Sequence, residues 1–398
     1  MKQRRKRVAI LVQNLHNGGA ERMAANMALE LSAYYSVWLI VFDGRDAIYP
    51  YGGRLIDLKL PPSEDENIVQ RLVKLVYRVR RLRYLKRSLR IDCCISHMNS
   101  ANVINILSKG KEKIYSIYHS MPSACDGKGK TAVQLHRFIA EGSERYYCVS
   151  RLAAMDMAKS YGIAPEKLGC IYNFLDPGKI EVQSREALPE EAAAFYANHP
   201  RMLISMGRLT AMKGQDRMIR LLQELRKEDD AMGLTILGEG EERETLEKLT
   251  EELGLTEHVY LPGELPNPFP FLKAASAFLL FSDYEGLPMV LIEAAAVKLP
   301  IAACDVASGP REILAPDTDI RSFTDKAEYA RYGVLLPSLA GEERRGELSE
   351  KERMAAQAVK RLLYDGELRG RYIERSAECA ERFSTAQQIG KWRTRIDS

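Results

Sequence analysis

Two carboxylates, Glu285 and Glu293, bracket the run Gly286-Leu287-Pro288-Met289-Val290. The apolar residues Ala277 to Phe281 precede them and read as a buried strand, and Pro288 suits the first position of a helix. A strand, a glycine turn and a helix N-terminus present free backbone N–H groups and a positive dipole end to an anion. At about 1.5 Å of rise per residue, Glu293 lies roughly 7.5 Å along the axis from Pro288. A carboxylate, an anion-binding helix tip and a second carboxylate therefore stand in a row. That order suits a ligand with sugar hydroxyls at one end, a diphosphate in the middle and a ribose at the other.

Other loops carry groups that such an anion requires. Gly207-Arg208-Leu209-Thr210-Ala211-Met212-Lys213-Gly214 follows one strand and precedes a helix. Arg208 and Lys213 are five residues apart; alone they read as two solvated loop cations, but together they offer a guanidinium fork and a point ammonium to one diphosphate. Gly238, in Leu237-Gly238-Glu239-Gly240, and Gly309, in Ser308-Gly309-Pro310-Arg311-Glu312-Ile313, mark two further strand-end turns. Gly18-Gly19 lies between a strand end and a helix start. Taken alone that pair reads as a plain tight turn, because G-x-G-x-x-G is absent. His119 follows a strand ending at Tyr118, and is read either as a packing residue or as a functional group at a strand's carboxyl end.

The elements that position these residues alternate along the chain. Strands are expected at Val8–Val12, Val37–Phe42, Cys93–Ser96, Lys113–Tyr118 and Tyr146–Val149, with helices between them. Ser63 and Glu66 fit a capping box opening a long helix to about Leu89. Residues 181–200 are polar, contain Pro189 and Pro200, and read as a linker with a short helix. The alternation restarts with strands at Met202–Met206, Gly233–Leu237, His258–Leu261, Ala277–Phe281 and Pro300–Ala303, and three helices close the chain. The fold class expected is α/β: a domain over 1–180, a linker over 181–200, a domain over 201–380 and a terminal helix over 381–398. Each domain is a doubly wound, Rossmann-like unit with a parallel sheet, and a cleft lies between them.

Composition is that of a globular protein, with 46% hydrophobic and 28% charged residues in 398. Seven scattered cysteines without metal-ligand spacing imply free thiols in a reducing cytoplasm. The basic N-terminus lacks the apolar run of a signal peptide, and no segment is long enough to span a membrane. Net charge is uneven. Residues 1–180 hold 29 Lys and Arg against 16 Asp and Glu; the rest holds 29 against 38. The basic excess peaks in residues 71–90, where Arg71, Lys74, Arg78, Arg80, Arg81, Arg83, Lys86, Arg87 and Arg90 occur without an acid. Leu72, Val76, Val79, Leu82, Leu85 and Leu89 form an apolar stripe at helical spacing, expected to face the core. A cationic face of this kind points to anionic phospholipid. Nucleic acid is disfavoured because no aromatic platform accompanies the charge.

The motifs resemble those of the retaining, GT-B glycosyltransferases of family 4, which include bacterial polysaccharide and lipid-linked oligosaccharide enzymes. The resemblance runs from Gly18-Gly19-Ala20-Glu21-Arg22 to the last helix. It is carried by Glu285 and Glu293 within Ser-Asp-Tyr-Glu-Gly-Leu-Pro-Met-Val-Leu-Ile-Glu-Ala, by Gly207-Arg208-Leu209 with Lys213-Gly214, and by Ser308 to Ile313. Lys298 stands where such enzymes often have glycine. The resemblance implies that Arg208 and Lys213 hold the donor diphosphate, Glu285 meets the sugar hydroxyls, and the amides of Gly286, Leu287, Pro288, Met289 and Val290 line sugar and phosphates (Pro288 itself having no N–H). It implies that Glu293 takes the ribose, the backbone from Leu261 to Gly263 receives the base, His119 contacts the transferred sugar, and Gly18 and Gly19 close over it. The last helix would cross back to the first domain. A UDP-linked hexose or N-acetylhexosamine is the expected donor, a lipid-linked sugar the expected acceptor, and no metal or other cofactor is required. The enzyme is expected at the inner face of the plasma membrane. Two rivals are a UDP-N-acetylhexosamine 2-epimerase of the same fold and a non-catalytic nucleotide-sugar-binding subunit.

Overall fold

The structure, a computed structural model, describes residues 4–16, 18–45, 47–61, 67–344 and 346–398. It divides into two compact units, one formed by Met1–Phe174 with Thr385–Ser398 and the other by Leu175–Ser384.

The first unit holds a seven-stranded sheet. Its strands are β1 (Arg7–Val12), β2 (Ser36–Val41), β3 (Arg54–Asp57), β4 (Cys93–His97), β5 (Lys113–Tyr118), β6 (Arg145–Cys148) and β7 (Leu168–Cys170). The order is β3-β2-β1-β4-β5-β6-β7, all parallel. Helices cover both faces, so the central strands are buried through nearly their whole length and read as continuous apolar runs. The sequence direction reverses between β1 and β4, which is where such sheets open a crevice at the carboxyl ends of the strands. The terminal helix Thr385–Asp397 belongs to this unit. Trp392 packs edge-on against Tyr147 at 5.0 Å, and Tyr115 donates to the Arg395 carbonyl at 2.8 Å.

The second unit repeats the plan with β8 (Arg201–Met206), β9 (Met232–Leu237), β10 (Val259–Gly263), β11 (Ala277–Leu280), β12 (Ile301–Cys304), β13 (Glu328–Tyr329) and β14 (Val334–Leu336). The order is β10-β9-β8-β11-β12-β14-β13, and the switch point lies between β8 and β11. Only the edge pair β13–β14 is antiparallel, so the second sheet is not wholly parallel.

Three expectations change. Residues 181–200 lie within the second unit instead of linking two. The helix Glu190–Asn198 is fixed by Phe195 stacked on Tyr260 at 5.2 Å and by Tyr196 donating to the Phe271 carbonyl at 3.3 Å. Its polar appearance comes from the outward face alone. The long basic helix spans Ile68–Ser88, and its capping box is Asn67 with Gln70; Ser63 to Glu66 lie outside the described residues. On that helix Leu72 and Val76 are exposed, and the side that packs inward consists of Leu75, Val79, Leu82, Leu85 and Leu89.

Lys86 is a further correction. It was expected on the membrane-facing surface, yet it is buried and paired with Glu112 at 2.8 Å. It also donates to the carbonyl and side-chain oxygens of Asn105. Lys74 and Arg78 are half-buried and donate to the carbonyls of Pro61 and Leu60. The charges of these three serve to attach the helix to its own unit. No helix among the described residues is long and apolar enough to cross a membrane.

Candidate functional site

The second unit builds a polar site from the loops that leave β8 and β11, the two strands at its switch point. The first loop runs from Gly207 through a short 3₁₀ turn, Ala211–Lys213, to the helix Gln215–Arg226. The second runs from Phe281 to the helix Met289–Ala296, which starts one residue after the expected Pro288; Pro288 is its N-cap. The two loops are fastened together. Gly214 has φ 65°, and a side chain there would collide with the Phe281 carbonyl. The Asp283 amide donates to the Met212 carbonyl at 2.8 Å. Arg217 is buried beneath them and donates to Asp283 Oδ1 at 2.6 Å, while Arg344 takes Asp283 Oδ2 at 3.1 Å.

On this frame Lys213 Nζ meets Glu285 Oε1 at 2.7 Å. The same carboxylate oxygen accepts from Ser282 Oγ at 2.7 Å. Glu285 is buried and Lys213 half-buried, and the carboxylate is held from two sides. Glu293 lies one turn into the helix and is also buried. Arg208 is exposed on the β8 loop, and its carbonyl accepts from Gln215 Nε2 at 3.0 Å. The structure thus brings Lys213, Glu285 and the start of the Met289–Ala296 helix together at one end of the sheet. Arg208 stands on the same loop and is exposed.

The Ser308–Ile313 segment supports this loop from behind. Ser308 has φ 70° and Gly309 φ 94°, and a side chain at Gly309 would strike the Pro288 ring. A serine in the left-handed region costs about 1–3 kcal/mol. Its hydroxyl donates to the Gly286 carbonyl at 2.5 Å, which holds the glycine turn closed. Arg311 is turned into a buried ion cluster with Asp305 and Glu328, so the arginine of this motif is a structural residue. At the β9 and β10 ends, Gly238 N donates to the Gly263 carbonyl at 2.9 Å. The Leu261 carbonyl accepts from Arg243 at 2.9 Å.

The first unit has its own polar cluster at the carboxyl ends of β4 and β5. His97 Nδ1 and His119 Nε2 stand 2.9 Å apart, with the rings stacked at 5.1 Å. Burial drives the His119 pKa down to about 3, and burial with the neighbouring imidazole drives His97 well below its ordinary value. Both rings are therefore neutral, and one N–H lies between them. The outer nitrogens, His97 Nε2 and His119 Nδ1, are buried without a partner. Met98, directly after His97, has φ 70°, a strained value at the strand end. Gly18 and Gly19 form the N-cap and first position of the helix that follows β1, with the Glu21 side chain folded over Gly18.

Sequence reasoning overlooked Arg217, Asp283, Ser282 and His97. His97 carries the same signal as His119, a histidine at a strand's carboxyl end. Arg217 carried none, because an arginine three residues into an amphipathic helix looks like a surface cation.

Two family models match the chain. Glycosyltransferase Family 4 matches residues 17–179 and Glycosyl transferases group 1 matches residues 190–328. An uncharacterized glycosyltransferase of Methanocaldococcus jannaschii is 34% identical over 236 residues, 58% of each chain. A Campylobacter jejuni enzyme named N-acetylgalactosamine-N,N'-diacetylbacillosaminyl-diphospho-undecaprenol 4-alpha-N-acetylgalactosaminyltransferase is 25% identical over 95% of each chain. Among solved structures, Anabaena Alr3699/HepE in complex with UDP and glucose superposes with a TM-score of 0.74 at 15% identity, covering 98% of this chain and 99% of that one.

Proposed function

We propose that this chain, which belongs to the GT-B glycosyltransferases, moves a hexose or N-acetylhexosamine from a UDP-sugar to a lipid-linked sugar acceptor in cell-surface glycan assembly. The observation that carries the proposal is the Lys213–Glu285 pair beside the start of the Met289–Ala296 helix at the switch point of the second sheet. A cation, a helix N-terminus and a carboxylate there match a diphosphate with a sugar beside it. The acceptor assignment draws on the Campylobacter relative, whose name specifies a diphospho-undecaprenol substrate.

The chemical problem is to break a glycosyl–phosphate bond. Negative charge grows on the departing diphosphate while the sugar acquires oxocarbenium character. Lys213, Arg208 and the helix amides stabilise that charge as it develops, with no metal ion or other cofactor. Glu285 binds sugar hydroxyls and Glu293 the ribose; Gly238 and the Leu261–Gly263 backbone border the base. The first unit is assigned the acceptor, and its neutral His119 a sugar hydroxyl. The acceptor attacks from the leaving-group side, so anomeric configuration is retained. Incubation of radiolabelled nucleotide sugars with membrane extract identifies donor and acceptor, and NMR of the product reads the anomer. An inverted product refutes the retaining assignment; sugar turnover without any acceptor refutes transfer.

A further inference from the structure

In the first unit three side chains converge on one carboxylate. Asp126 follows the short helix Pro122–Cys125. Its Oδ2 accepts from the Tyr118 hydroxyl at 2.6 Å, from His136 Nε2 at 2.8 Å and from Asn99 Nδ2 at 3.0 Å. Tyr118 ends β5, and Asn99 opens the helix Asn99–Leu107 that follows the neighbouring β4. Asp126 therefore stands at the carboxyl ends of the strands, where such sheets take their ligands.

The surroundings assign the protons. Burial, together with Asp126 itself, pushes the Tyr118 phenol up, so it keeps its proton and donates. Burial lowers the His136 pKa against the pull of Asp126, so the ring is neutral. Its Nε2 carries the proton toward Asp126, and Nδ1 accepts from the Tyr146 hydroxyl at 3.1 Å. Asn99 turns its amide nitrogen to the carboxylate, since its oxygen would be repelled there.

All three donors fall on Oδ2. Oδ1 has no hydrogen bond among the described residues, and 25% of the side chain is exposed. A carboxylate that only tied these elements together would spread its donors over both oxygens, which offer about four lone-pair sites. This one is fixed along one edge and open along the other, a preorganised acceptor for a ligand's donor. Such an edge suits a hydroxyl, an organic cation or a metal ion. No group of three or more side chains fit to hold a metal occurs among the described residues. From His119 to Ala140 Asp126 is the sole acid, alongside Lys128, Lys130 and Arg137, so its surroundings repel a cation.

We infer that Asp126 binds a hydroxyl of the acceptor sugar through Oδ1, held in place by Tyr118, Asn99 and His136. The inference deepens the proposed function and rests on it for the acceptor being a sugar.

Asp126→Asn tests this on the full chain. An amide can turn its oxygen to the same three donors, so the substitution changes only the open edge, from acceptor to donor. The probes are the methyl glycosides of glucose, galactose, N-acetylglucosamine and N-acetylgalactosamine, titrated by saturation-transfer NMR with saturating UDP present. Wild type binds at least one of them. Asp126→Asn weakens that binding about ten-fold or more, while its UDP affinity and melting curve stay those of wild type. Unchanged glycoside affinity in Asp126→Asn overturns the inference. So does wild-type binding of none of the four, or a signal that Glu285→Gln alone abolishes. Should Asp126→Asn melt early, Asn99→Ala carries the test. It releases one side of the carboxylate and weakens glycoside binding about three- to ten-fold; unchanged affinity there overturns the inference. Transfer assays separate the two readings. Glycoside binding that depends on Asp126, without transfer from any nucleotide sugar, sinks the proposed function alone. Transfer whose acceptor KM ignores Asp126→Asn sinks the inference alone.

Discussion

Lys213 and Glu285 form one ion pair but have different assignments, and UDP without its sugar separates them. Replacing Lys213 by Gln removes a charge-assisted contact to the diphosphate, of the kind worth about 1.5–3 kcal/mol. In the free protein Lys213 is already held by Glu285 at 2.7 Å, so binding exchanges one carboxylate for another anion. The net loss therefore lies at the low end, about ten-fold in UDP affinity. Replacing Glu285 by Gln has the opposite sign. It removes a buried negative charge that competes for Lys213 and repels the diphosphate; at an effective dielectric near 20, unit charges 4 Å apart interact by about 4 kcal/mol before desolvation is counted. UDP then binds as well as to wild type or up to about ten-fold tighter. Turnover falls, because the sugar loses its anchor, by about 10²–10³ if the carboxylate acts like one preorganised group. Titration calorimetry with UDP gives the affinities, and initial rates with the intact donor give kcat. Equal weakening of UDP by both substitutions refutes the division of labour, and shows the pair to be a single structural unit.

Two other outcomes follow from the first unit. Lys86→Met leaves Glu112 buried and unpaired, so urea denaturation should show a loss of about 3–5 kcal/mol, much of it recovered by adding Glu112→Leu. A stable Lys86→Met protein with weakened vesicle binding refutes the burial of that lysine. His97 and His119 have folded pKa values below the unfolded value of 6.5, so protonation favours unfolding. Their contribution is complete above pH 6.5 and is lost as pH falls from there, for His119 down to about 3, at up to about 1.4 kcal/mol per pH unit for each ring. The His97→Gln/His119→Gln variant should lose less stability than wild type between pH 7 and pH 5, read from urea midpoints. Parallel slopes for the two proteins refute the buried neutral pair.

The two sheets were legible because buried parallel strands leave continuous apolar runs, and Val8–Val12, Val37–Phe42 and Ala277–Phe281 are such runs. The strands that went unseen are short edge or near-edge elements, β3, β7, β13 and β14, held by pairing more than by composition. The loop between β11 and the Met289–Ala296 helix was legible as a glycine turn and helix start, since such a turn restricts residue type locally. The residues that weld the two loops were not, because Arg217 and Asp283 meet across 66 positions and nothing in either neighbourhood announces the other. The basic helix shows the same limit more sharply. Helical spacing put Leu72 and Val76 on one stripe with Leu82 and Leu85, but the exposed arc and the packed arc both contain aliphatic residues, and the 100° period cannot say which one the sheet covers. Charge was no better a guide. Lys86 is one of nine cations in a run without acids, and its partner Glu112 lies beyond the next helix. A run of like charge therefore bounds the sign of a surface, while only tertiary packing decides which of its members remain on that surface.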